Sequence, residues 1–121
     1  MSTHKPIPKA KRIEVWNMYD HHCAYCGCEL EYKDMQVDHI DSVYTYCDYR
    51  KEKTLDEINE IDNLMPSCRQ CNFYKSNCSI EDFRDRLNVV LMRNLQKTFQ
   101  YRLALKHGLI EENNKPVEFY F

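Results

Sequence analysis

Four cysteines in two pairs, Cys23 with Cys26 and Cys68 with Cys71, have the spacing of metal-binding knuckles. Two CxxC turns together supply the four thiolates that a tetrahedral structural zinc requires. Residues 27–67 separate the pairs, a longer gap than the roughly 15–20 residues common in zinc ribbons. A strand, a loop and another strand would fit in that gap, with the metal closing their base. Unrelated buried thiols or a redox CxxC are the plainer alternatives, and the doubled spacing favours zinc. With four thiolates the ion has no open position, so it would hold the fold and do no chemistry. Cys28, Cys47 and Cys78 show no pairing and read as small buried hydrophobes, although Cys28 is near enough to the first pair to compete as a ligand. His21 and His22 adjoin that knuckle too and read as turn residues.

The inserted segment carries "VDHI" at Val37–Ile40 and "IDNL" at Ile61–Leu64, and Asn72 directly follows the second knuckle. The order is CxxC, then Asp-His ending a predicted strand, then an asparagine ahead of "LMP", then CxxCN with Lys75 three residues on. This combination, spanning about residues 12–76, resembles the HNH endonuclease family in its zinc-knuckle branch. The resemblance implies an α+β fold: a small ββα-metal core closed by the four-cysteine knuckle, with helices flanking it on both sides. The last motif position is asparagine, so this chain reads His-Asn-Asn. The loop after His39 is long and lacks the glycine-rich run of some relatives, which bears on substrate geometry more than on the reaction.

Hydrolysis of a phosphodiester needs an activated water and a group that stabilises charge on the leaving oxygen. A histidine, which titrates near neutrality, suits the first task. A hard divalent cation on oxygen ligands suits the second. The resemblance assigns His39 as general base, Asp38 as ligand of a catalytic ion, and Asn63 as the residue that braces the loop and orients His39. Asn72 would complete the ion site, since an amide oxygen suits Mg2+ or Mn2+ where imidazole suits softer metals. Lys75 is either a phosphate contact or a solvated charge. Neighbouring strand residues point to opposite faces, so Asp38 and His39 need a strand end or a twist to share one site.

Those residues need elements to hold them. Pro8 and "KAKRIEVWNMY" predict a helix with Ile13 and Trp16 facing the core. "MQVDHI" predicts a strand over about 35–40, and "NLMPSC" a returning short strand or extended segment with Pro66 at an edge. Between them, Thr54 and Glu57 form a capping box for a short helix. One or two helical turns are expected over 69–75. A helix from Ser79 to about His107 should end at Gly108, with Phe83, Leu87, Val90 and Leu91 inward. Residues "KPVEFYF" could add a strand. The expectation is a single domain over 1–121.

The 121 residues, with 30% charged and 43% hydrophobic, have an ordinary globular balance and no apolar run of bilayer-spanning length. The opening residues lack the apolar core of a secretory signal, so a cytoplasmic location is expected. An odd count of seven cysteines in that setting argues for metal rather than disulfides. A net charge of −2 gives no global basic field. The basic residues Arg86, Arg93 and Lys97 recur near one predicted helical face and are candidate contacts to DNA. The leading reading is a metal-dependent DNA endonuclease. Its rival is a non-catalytic zinc module that binds nucleic acid or protein through the long helix. A weaker third is an RNA-directed nuclease, from the loop tyrosines.

Overall fold

The computed structural model of the chain describes residues 6–40 and 59–121. By internal contacts the chain forms two compact units, Met1–Ile80 with Phe119–Phe121, and Glu81–Glu118. The capping box at Thr54 and Glu57, and Cys47, lie outside the described residues.

In the first unit, helix α1 spans Lys9–Asn17, with Pro8 as its N-cap residue. Its inward residue is Val15, fully buried, whereas Ile13 is 38% exposed, against the expectation for that position. The stripe that faces inward is Arg12, Val15, Trp16 and Tyr19, a helical i, i+3, i+4, i+7 set. Trp16 is anchored at its polar end, Nε1 donating to the Leu30 carbonyl at 2.9 Å. The helix gives way to two left-handed residues, Asp20 and His21, types that tolerate positive φ. The imidazole of His21 stacks flat on Trp16, ring centroids 3.5 Å apart.

Strands β1 (Gln36–His39) and β2 (Leu64–Ser67) form an antiparallel pair, with Asp38 opposite Met65 and His39 opposite Leu64. Pro66 donates no backbone bond, as an edge position allows, while its carbonyl accepts from Ala24 N at 2.9 Å and so fastens the first knuckle to the sheet. Helix α2, Arg69–Lys75, follows directly and packs on β1. Among the described residues, the buried apolar side chains of this unit include Val15, Cys23, Ala24, Tyr25, Leu30, Met35 and Leu64. Residues Phe119–Phe121 return to it as extended chain rather than the strand expected, through Tyr120 N to Tyr25 O at 3.1 Å and Phe121 N to Ala24 O at 2.9 Å. Gly27 has φ +79, and a Cβ there would meet Tyr120 Cδ1 at 2.6 Å, so both backbone and space demand glycine.

The second unit departs from the single helix expected over 79–107. Helix α3 (Ile80–Asp85) runs into a π turn, Arg86–Leu91, then α4 (Met92–Gln96). Thr98 stops it by capping a new helix, α5 (Phe99–Lys106), its side chain accepting from Tyr101 N at 3.2 Å. The π turn adds a residue to the helical period and rotates all that follows. Phe83, before it, is fully buried, and Leu91 is 41% exposed instead of inward. The same rotation breaks the register on which Arg86 and Arg93 were placed on one face. Gly108, at φ +70, ends α5 as expected, with Leu109 N bonded to Ala104 O and Gly108 N to Leu105 O in a Schellman pattern.

Candidate active and metal sites

The two knuckles bring Cys23, Cys26, Cys68 and Cys71 together, all four sulfurs within 4.8 Å of one another. Tetrahedral zinc with bonds of about 2.3 Å puts its sulfurs roughly 3.8 Å apart, and Cys26 Sγ lies 3.8 Å from Cys68 Sγ. The donor set fits zinc. Each knuckle also turns a backbone amide onto its first sulfur, Tyr25 N to Cys23 Sγ and Cys71 N to Cys68 Sγ, both at 3.4 Å. The Cys71 side-chain hydrogen bond, opposed by burial and helped by the backbone amides of Cys26, Cys68 and Tyr25, lowers the Cys23 thiol to about 4. The same bond and burial push Cys71 up, and burial raises Cys68. Four crowded sulfurs resist ionising together, and a dication is what such a set needs. Cys28, His21 and His22 stand outside the set; His22 stacks instead on Tyr120, at 5.3 Å.

Next to the knuckles, the end of β1 presents its two neighbours differently. Asp38 is 4% exposed and His39 half-buried, as alternation on a strand requires. The buried carboxylate is met from two sides. Tyr25 donates its hydroxyl to Oδ2. Lys75 donates to Oδ1 at 3.3 Å, stands 3.1 Å from Oδ2, and donates to the His39 carbonyl at 3.2 Å. Burial, and then the Asp38 charge, push the Tyr25 phenol well above its usual range, so it remains a donor. Lys75 is 0% exposed. Neither a solvated charge nor an outward phosphate contact describes it: it turns inward and pairs with Asp38.

On the imidazole, Nε2 of His39 lies 2.7 Å from Oδ1 of Asn59. The Asn59 carbonyl is itself held by Lys11 of α1, at 2.8 Å. Asn63, expected to orient His39, is buried at the end of a 3-10 turn, Ile61–Asn63, and its carbonyl accepts from Ile40 N at 2.8 Å. It thereby clamps the backbone immediately after His39. Asn72 is half-buried on α2, three residues before Lys75, and residues at that spacing share a helix face. The helix face that reaches Asp38 through Lys75 is therefore the one carrying Asn72. Tyr25 and Asn59 are the site residues that sequence reasoning missed.

Residues 23–78 match the family model for the HNH endonuclease. Over that stretch the chain is similar to an HNH domain. The four-cysteine cluster, which begins and nearly ends the matched stretch, fits zinc. Among solved structures, the Type II-C Cas9 enzyme from Actinomyces naeslundii resembles the chain with TM-score 0.51 and 24% identity, over 65% of this chain and 8% of that one. At this identity the likeness shows the fold. No curated protein matches the chain significantly. Among the described residues no helix is long and apolar enough to cross a membrane.

The Lys75–Asp38 pair has a measurable consequence. Lys75→Met leaves a carboxylate buried without its cation, and breaking one side of such a pair costs about 3–5 kcal/mol. Urea denaturation of zinc-loaded protein should show that loss, and adding Asp38→Asn to the same chain should recover most of it. A Lys75→Met midpoint equal to that of wild type would mean the pair contributes nothing.

Proposed function

We propose that the HNH domain is a metal-dependent endonuclease that hydrolyses phosphodiester bonds in DNA, with His39 as general base. One observation carries this reading: at the end of β1 an imidazole held by Asn59 adjoins a buried carboxylate, beside the helix face that bears Asn72. With Asn59 presenting its oxygen, Nε2 of His39 carries the proton and Nδ1 keeps the lone pair. His39 then takes a proton from the attacking water through Nδ1. Asp38 and Asn72, a carboxylate and an amide oxygen, are the donors that suit a hard cation such as Mg2+ or Mn2+. The ion, when bound, supplies positive charge for the oxygen that departs from phosphorus. Asn63 keeps the turn after His39 in place, so the base and the carboxylate hold their relative position. Arg86, Arg93 and Lys97, which the π turn keeps off a common helical face, are assigned to DNA phosphates as separate contacts, and the chain is read as cytoplasmic.

The test is cleavage of supercoiled plasmid across a divalent-ion series. Brief mild chelation should abolish cutting and leave one zinc per chain, because oxygen-ligated ions exchange readily and a closed thiolate site does not. Added Mg2+ or Mn2+ should restore it. DNA bound but never cut, under any divalent ion, would make the domain a binding module instead.

A further inference from the structure

Tyr25 lies inside the first knuckle, between Cys23 and Cys26, yet its side chain points to the other metal-binding feature of the fold. It is 1% exposed, and its hydroxyl is spent on Asp38 Oδ2. A buried tyrosine needs a partner for its O–H, but a phenylalanine would fill the same space without that need. The hydroxyl therefore serves the carboxylate. A carboxylate rotates about a broad, soft torsion unless donors pin its oxygens. Here one donor comes from α2, through Lys75, and the other from the knuckle, through Tyr25.

The Tyr25 ring is itself clamped. Phe119 meets it edge-on at 5.3 Å and 75°, and Phe121 at 5.9 Å and 79°. Phe119 and Phe121 also touch each other, at 5.3 Å. Backbone bonds from Tyr120 and Phe121 to the carbonyls of Tyr25 and Ala24 hold both rings in register with the knuckle. A five-residue span of chain, Cys23–Gly27, is thus tied to the four-cysteine cluster, to a phenylalanine pair and to Asp38 at once.

We propose that Tyr25 is a positioning residue for the divalent-ion site: its hydroxyl sets the orientation of the Asp38 carboxylate, and Phe119 and Phe121 fix the ring that delivers it. The proposal rests on the reading of Asp38 as an ion ligand. It makes the first cysteine knuckle part of the geometry of the oxygen-ligated site, beyond holding the fold. Groups that orient a ligand typically change metal affinity by about 10–100-fold when removed.

The experiment measures Mn2+ affinity of the full chain, zinc-loaded, from the free-ion electron paramagnetic resonance signal, with zinc content and thermal midpoint recorded on the same samples. Tyr25→Phe should weaken Mn2+ binding by roughly 10–100-fold with one zinc retained. Phe119→Ala should shift it in the same direction by less, since the hydroxyl is kept and only its aim is loosened. Asp38→Asn is the control. If it binds Mn2+ as wild type does, Asp38 is no ion ligand and both readings fall. If Asp38→Asn abolishes binding and Tyr25→Phe matches wild type, the positioning role alone is overturned. Loss of zinc from Tyr25→Phe would also overturn it, because the hydroxyl would then be supporting the knuckle and not aiming the carboxylate.

Discussion

Serine in place of Cys23 or Cys68 is expected to abolish cooperative folding of the zinc-bearing unit, the largest effect of any single change in the chain. Structural zinc contributes roughly 10–16 kcal/mol in zinc-finger peptides, whereas whole small domains are stable by only about 5–15 kcal/mol. Among the described residues the unit's sheet has two strands, and its buried apolar set includes one of the clustered cysteines, Cys23 itself. The knuckle also carries Ala24 and Tyr25, whose bonds reach β2 and Asp38. Losing the metal therefore removes the ties between knuckle, sheet and helix α2 together. Near-ultraviolet circular dichroism and metal analysis on the same samples check this. A zinc-free variant that melts cooperatively at the wild-type midpoint would show that packing alone carries the fold.

The zinc site was legible in the sequence because each knuckle is local. A CxxC turn brings its own two sulfurs together, and only the pairing of the turns was left to the fold. The strand around Asp38 was legible for a similar reason, since alternation and β-branched residues leave a trace in the order of residues. Tyr25 and Asn59 were not. Their partners, Asp38 and His39, are 13 and 20 positions away, and a hydroxyl or amide aimed across such a gap leaves no period to read. Lys75 showed the limit of a related habit: a lysine on a short helix reads as solvated until the structure supplies a buried carboxylate beside it. Further along, Phe83 obeyed the helical period and Leu91 did not, because one π turn between them shifts the phase and no residue type in "RLNVVL" announces it. Ile13 failed for a different cause. The inward face of α1 runs along Arg12, Val15, Trp16 and Tyr19, and position 13 lies off that stripe.

His39→Ala should reduce DNA cleavage by at least the roughly 10²–10⁴-fold that a positioned acid–base group contributes. Folding, zinc content and DNA binding should persist. The imidazole is half-buried at a strand end, and alanine there removes its hydrogen bond to Asn59, worth about 0.5–1.5 kcal/mol as an ordinary hydrogen bond. The backbone carbonyl of His39, which Lys75 holds, is untouched by the substitution. The fall in rate and the fall in stability are thus well separated in size. Alanine alone does not tell a base from a spacer, so His39→Gln supplies the second variant. Glutamine can still donate to Asn59, but its amide does not take a proton at neutral pH. A general base predicts that both variants are equally impaired in cleavage, while DNA binding matches wild type. A purely positioning imidazole predicts that glutamine recovers much of the rate. Single-turnover cleavage with saturating Mg2+, alongside binding measured on the same preparations, distinguishes the two. If His39→Ala cuts as fast as wild type, His39 is not the base, and the water that attacks phosphorus loses its proton elsewhere.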